Sequence, residues 1–199
     1  MRCCGSRTIF TGRDRAVRIE ASAKYERPMA VSLKLPLVLV DDADLVRVSA
    51  ENPGYQFERE ENGTLTVSPT LANSGAQSAE ATYQLVAYAK RVGGRVFDSS
   101  TGFRIGRAVK CPDAAWVCAE RIERLSERER SGFWPGSPDV AIEVKSASDA
   151  FAKVIAKLQF YMKHGSRYAV AIDPAMREIV ELGEVPPGLS LDFDAIMDA

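Results

Sequence analysis

The chain has 199 residues, 46% of them apolar and 27% charged, the composition of one ordinary folded domain rather than of a disordered chain. Lysine and arginine number 26 against 27 for aspartate and glutamate, a net charge of -1, which excludes a strongly basic nucleic-acid coater while leaving room for local basic patches. The longest apolar run, Leu35 to Val40, is far short of the roughly 20 residues of a membrane helix, so no membrane association is expected and a cytoplasmic location is.

Four cysteines, Cys3, Cys4, Cys111 and Cys118, lack CxxC or Cys/His spacing, which argues against a disulfide scaffold or structural zinc. One histidine, His164, leaves no material for a Ser/His/Asp triad or a multi-histidine metal site, so any metal should be held by carboxylates. Residues 1–30 carry scattered arginine, serine and glycine without an apolar period or a secretory h-region, and are read as a flexible extension ahead of a single domain over 31–199.

Asp41-Asp42 caps a short helix that ends before the turn Asn52-Pro53-Gly54. YQFERE and TLTVSP alternate as strands and flank Asn62-Gly63, a hairpin signal. Asn73 and Ser74 suit the cap of a helix over about 75–92 that Gly93-Gly94 terminates. RVFDS, GFRIG and CPDAAWVC read as short strands, AERIERLSERER as one charged helix, and SGFWPGSP as a loop. DVAIEVKS alternates strictly, Asp149 is placed to cap a helix running to about His164, and RYAVAID and REIVEL close the series as strands. Helices mixed with hairpin and crossover strands predict an α/β or α+β layer.

Alternation puts Asp139, Glu143 and Lys145 on one side of their strand, with Glu143 and Lys145 about 6.6 Å apart along it. Such a face is either bathed in solvent or floors a cleft in which carboxylates bind a hard divalent cation. Pro112-Asp113 opens a second acidic strand. If the two strands pair, Asp113 and Glu143 converge on one Mg²⁺ while Lys145 assists the attacking water.

Pro112-Asp113 followed by Glu143-Val144-Lys145 resembles the PD-(D/E)XK pattern of restriction-endonuclease-like enzymes, and the surrounding strings resemble the Uma-two endonuclease family within them. Those strings are YQFEREENGTLTVSPT, VFDSSTGFRI, CPDAAWV, GFWPGSPDVAIEVKSASD and KLQFYMKHGSRYAVAIDP, collinear from about Gly54 to Val180. The resemblance implies a mixed central sheet flanked by helices, with an N-terminal β-hairpin. It also implies Asp113 and Glu143 as ligands of Mg²⁺, for which Mn²⁺ can substitute, and Lys145 as the catalytic cation. Members often carry that lysine on the following helix instead, at the position of Lys157, which borders the apolar stripe beside Tyr161 and is a second catalytic candidate, the alternative being a solvated face residue. Glu58 falls on the family's acidic hairpin position, as a metal ligand or orienting group, the alternative being an exposed hairpin charge.

Among the remaining candidates, Trp134 in the loop before the acidic strand is expected at a cleft rim in contact with nucleic acid, and Trp116 in the core. Asp139 is expected to make a loop hydrogen bond, His164 to sit at a helix end, and Phe160 to contribute to a dimer contact. The implied activity is metal-dependent hydrolysis of phosphodiester bonds, in DNA, by a homodimer. The competing reading is a catalytically silent nuclease fold that binds nucleic acid or serves as a structural module.

Overall fold

The structure is a computed structural model that describes residues 7–9, 17–21, 41–70, 72–130, 132–147 and 149–199. Most of the extension expected over 1–30, and the apolar run Leu35 to Val40, lie outside the described residues. The described pieces of that extension are two strands, β1 (Arg7–Ile9) and β2 (Val17–Ala21), paired antiparallel.

Asp41 caps helix α1 (Asp42–Glu51), its carboxylate accepting from Asp44 N at 3.0 Å. The hairpin then forms as β3 (Tyr55–Arg59) and β4 (Leu65–Pro69), in register from Tyr55 opposite Pro69 to Arg59 opposite Leu65. Its turn depends on Gly63: the Gly63 N–H closes on Glu60 O at 2.9 Å and φ is +85°, a left-handed conformation that a β-carbon would disfavour. Leu45 and Val48 of α1 pack on Phe57, Leu65 and Val67, so the hairpin has a small core of its own.

Helix α2 (Ala72–Val92) begins before the expected cap and ends at Gly93-Gly94. After it come β5 (Arg95–Asp98), β6 (Phe103–Ile105), β7 (Ala108–Lys110) and β8 (Ala114–Val117). The single helix expected over AERIERLSERER is instead two, α3 (Ala119–Glu123) and α4 (Glu127–Arg130). The break is a capping box: Glu129 takes the Ser126 N–H at 2.9 Å while Ser126 Oγ faces Glu129 N. β9 (Trp134–Pro135), β10 (Val140–Val144), α5 (Phe151–Lys163), β11 (Tyr168–Asp173), β12 (Glu178–Gly183) and α6 (Phe193–Asp198) complete the chain. The N-cap of α5 is Ala150, one residue beyond the expected Asp149, which accepts from Ser146 Oγ at 2.6 Å.

The strands form two mixed sheets, one in the order β1-β2-β4-β3-β7-β6-β9 and the other β12-β11-β10-β8-β5. β10 lies in the second sheet, parallel to β11 and antiparallel to β8. Because α5 connects the two parallel strands, it lies on one sheet face, while α2 and α6 cover the other. Val140, Ile142 and Val144 therefore point to Leu85, Tyr88 and Ile196, and Ala141 to the side occupied by Val154, Leu158 and Tyr161. All five residues of β10 are buried, so the charged face is not a solvent face: α5 packs over it.

Gly93 and Gly94 both have positive φ, but only at Gly94 would a β-carbon collide, 2.5 Å from Trp116 Nε1 and Val117 O. Gly93→Ala is expected to cost about 1–2 kcal/mol for the left-handed conformation alone, and Gly94→Ala a further ~1–3 kcal/mol for the collision. Urea unfolding of both variants checks this, and equal costs would contradict it.

Candidate active site

Ile142 opposite Ala114 is the last paired step between β10 and β8, and one step further the same register sets Asp113 opposite Glu143. The two carboxylates thus share one end of two adjacent strands. Asp113 is pinned by the Val144 N–H, which donates to Oδ2 at 2.7 Å, and by Ser78 Oγ of α2 at 3.1 Å from Oδ1. Glu143 is 5% exposed, and Tyr161 of α5 donates its hydroxyl to Oε1 at 2.8 Å.

Lys157 lies one helical turn before Tyr161 and reaches the same carboxylate. Its Nζ is 2.9 Å from each oxygen of Glu143, 2.7 Å from Oε1 of Glu58 and 3.1 Å from the Cys111 carbonyl. Glu58, from the hairpin, is itself 8% exposed and accepts from the Cys111 N–H at 2.6 Å. The helix can come this close because the sheet face beneath it carries Ala115, Ala141, Ala169 and Ala171.

The structure thus brings together Asp113, Glu143, Glu58 and Lys157. It takes Lys145 elsewhere, with Nζ 3.2 Å from Oδ2 of the buried Asp173 at the end of β11. Trp134 is also placed differently from the expectation. It is 4% exposed, packed 4.8 Å from the Phe97 ring, and not at a cleft rim. Its aromatic neighbours Phe97 and Phe103 supply the apolar surface that draws it inward. Trp116 is in the core as expected, and Asp139 accepts from the Cys118 N–H and Arg121 and pairs with Arg167. Phe160 is half-buried against the His164 ring, 4.2 Å away, and His164 ends α5.

Three residues that sequence reasoning did not single out serve the site: Ser78, Tyr161 and Lys110. Ser78 and Tyr161 had a signal, each being a hydroxyl within an otherwise apolar helix stripe (Ala81, Leu85 and Tyr88 in one, Val154 and Leu158 in the other). A buried hydroxyl in such a stripe needs a partner: Tyr161 finds Glu143, and the single Ser78 proton is shared between Ser74 O at 2.7 Å and Asp113 Oδ1 at 3.1 Å.

Burial sets the electrostatics. It pushes Glu143 up to about 8, partly opposed by Lys157 and reinforced by the charges of Asp113 and Glu58. Burial also raises Asp113, against Lys157 and the hydrogen bonds from Val144 and Ser78. Burial works to raise Glu58 too, but the ammonium groups of Lys157 and Lys110 outweigh it and hold this carboxyl below its usual range. Lys157 stays well above the ordinary lysine value because Glu143 and Glu58 overcome its own burial. The Tyr161 hydroxyl is raised by burial and by the same two carboxylates, and so remains a donor.

The donor set fits a hard divalent cation in chemical type: Asp113 and Glu143 are opposed oxygen donors in a cluster with surplus negative charge. Among the described residues no group of three or more His, Cys, Asp and Glu side chains is placed to hold a metal. Mg²⁺ is commonly bound by one or two protein carboxylates, its other positions going to water and substrate phosphate. Asp113 and Glu143, borne by adjacent strands of one sheet, are the pair that would hold the ion, while Glu58 reaches the same Lys157 ammonium from the other sheet.

A pair of acidic strand ends with a helix-borne lysine, on a mixed sheet between helices, is the arrangement of a restriction-endonuclease-like protein. The family model Uma2, described as "Putative restriction endonuclease", matches residues 42–187, and the chain belongs to that family. A crystal structure described as "a putative nuclease belonging to DUF820", from Anabaena variabilis ATCC 29413, has the same fold, with a TM-score of 0.60 at 20% identity. The match covers 80% of this chain and 98% of that one. A comparison with curated proteins found no match.

The raised Glu143 carboxyl has a consequence for stability. Between its ordinary value of 4.5 and about 8 the folded protein keeps a proton that the unfolded chain has released, so this contribution to stability declines as pH rises through that window. Wild type is therefore expected to lose stability relative to Glu143→Gln from about pH 4.5 to about pH 8, by urea unfolding in EDTA. A difference that stays level across the window would contradict the assignment.

Proposed function

We propose that the protein is a divalent-metal-dependent endonuclease that hydrolyses phosphodiester bonds in DNA. The observation that carries this reading is Asp113 held by the Val144 N–H at the end of β10, next to Glu143 and the Lys157 ammonium on it. Family membership supports nuclease chemistry and hence a nucleic-acid substrate. Asp113 and Glu143 are the residues that would hold Mg²⁺ or Mn²⁺. Such an ion, when bound, supplies Lewis-acid polarisation of a phosphoryl oxygen and offsets developing charge.

The remaining chemistry falls to side chains of this chain. Ser78 and the Val144 N–H keep Asp113 in one orientation, and Tyr161 does so for Glu143. Lys157 remains protonated, so its role is to donate to and neutralise the phosphate as negative charge builds, not to act as a base. Water oxygen bonds to phosphorus as the bond to the leaving sugar oxygen breaks; the attacking water gives up one proton to solvent and the leaving oxygen takes one up from solvent. Lys145, paired with Asp173 just beyond β10, is an outer cation for a neighbouring phosphate. A homodimer would present one such site to each strand of a duplex. Among the described residues no helix is long and apolar enough to cross a membrane.

Nicking of supercoiled DNA and cutting of single-stranded DNA with Mg²⁺ or Mn²⁺ tests the proposal, with RNA of the same sequence as a second substrate. Asp113→Asn, Glu143→Gln and Lys157→Met are each expected to lose at least about a hundredfold in rate, EDTA to abolish cleavage, and Lys145→Ala to have a smaller effect. No cleavage of any substrate, with no metal binding by calorimetry, would overturn it in favour of a non-cleaving nucleic-acid-binding or structural module.

A further inference from the structure

Lys110 ends β7 and is 5% exposed, an unusual place for a lysine, and it touches neither Asp113 nor Glu143 through any hydrogen bond or ion pair described for it. Its Nζ faces Oε2 of Glu58 at 3.6 Å, bonds Glu60 at close range, and lies 5.9 Å above the Phe160 ring. Glu58 is therefore shared. Its Oε1 takes Lys157 at 2.7 Å and the Cys111 N–H at 2.6 Å, while its other oxygen faces Lys110.

We infer that Lys110 is a positioning residue for Lys157, acting through Glu58. This rests on the nuclease reading of the same site. Two cations divide the charge of Glu58. Without Lys110 that carboxylate would keep the Cys111 N–H but have Lys157 as its one cation, in a buried setting where screening by water and salt is weak. The Lys157 ammonium would then be drawn toward Glu58 and away from Glu143, the residue beside which it must meet the phosphate. The short stretch from Lys110 to Asp113 thus provides an ammonium to Glu58, a backbone N–H to Glu58, a carbonyl to Lys157, and the carboxylate of Asp113 itself.

The test pairs kinetics with a probe that needs no turnover. Lys110→Met is expected to lower kcat on DNA by about tenfold, the size typical of residues that orient active-site groups. KM should stay within about twofold, because Lys110 is buried. Lys110→Arg, which keeps the charge, should restore most of the rate. In a Glu58→Gln background Lys110→Met should cost nothing further. Glu60→Gln removes the other, half-exposed partner of Lys110 and should cost less than about twofold. If Lys110 merely braced the hairpin, Glu60→Gln would fall in step with Lys110→Met and with thermal stability, and the inference would be overturned.

The ¹⁵N resonance of the Lys157 ammonium, assigned by its loss in Lys157→Arg, is read alongside in metal-free protein. It should shift in Lys110→Met and stay put in Glu60→Gln. A resonance unmoved in Lys110→Met overturns the positioning role whether or not the protein cleaves DNA. Absent cleavage by wild type with a shifted resonance would instead refute the nuclease reading alone.

Discussion

The ammonium of Lys157, held between Glu58 and Glu143, is the contact on which the rest of the structure depends. Glu58 belongs to the hairpin sheet and Glu143 to the central strand of the other sheet, so one side chain from α5 ties the two sheets together. Each of the three groups is buried or nearly so, and removing the lysine takes from the buried carboxylates their shared cation, worth roughly 3–5 kcal/mol in comparable buried pairs. The alanines beneath α5 are the packing condition for this contact. A larger residue at Ala141 or Ala171 would lift the helix and lengthen every bond that Lys157 and Tyr161 make.

The site is not neutralised evenly. Glu58 has two lysines and a backbone N–H and ends below the usual carboxylate range, whereas Glu143 has one lysine, two acidic neighbours and full burial, and ends above it. Two glutamates bound to the same ammonium are thereby given opposite proton affinities. A fold optimised only for stability would have little reason to bury such a surplus of negative charge. Proton affinities pushed apart in this way cluster at functional sites.

Much of this architecture is legible locally. Alternation and Asn62-Gly63 specify the hairpin, Asp41 specifies the start of α1, and Gly93-Gly94 the end of α2, because turns and caps depend on residues close in sequence. The split of the charged segment into α3 and α4 was readable too, in the spacing of Ser126 and Glu129, but helical charge pairing masked it. Trp134 shows a different limit: its loop composition suggests exposure, while Phe97 and Phe103, distant in sequence, bury it.

The two carboxylates, the strands that bear them and the family pattern that joins them were determined by the sequence itself, since strand alternation and the Pro112-Asp113 and Glu143-Val144-Lys145 strings are local properties. Which lysine meets them was decided only by the tertiary structure. Lys145 lies past the end of β10, where its long side chain follows β11 to Asp173, whereas the parallel crossover lays α5 over Glu143 and delivers Lys157. Alternation fixes a side of a strand but not what covers it. The cover comes from the chain's path between sheets, which no single segment encodes.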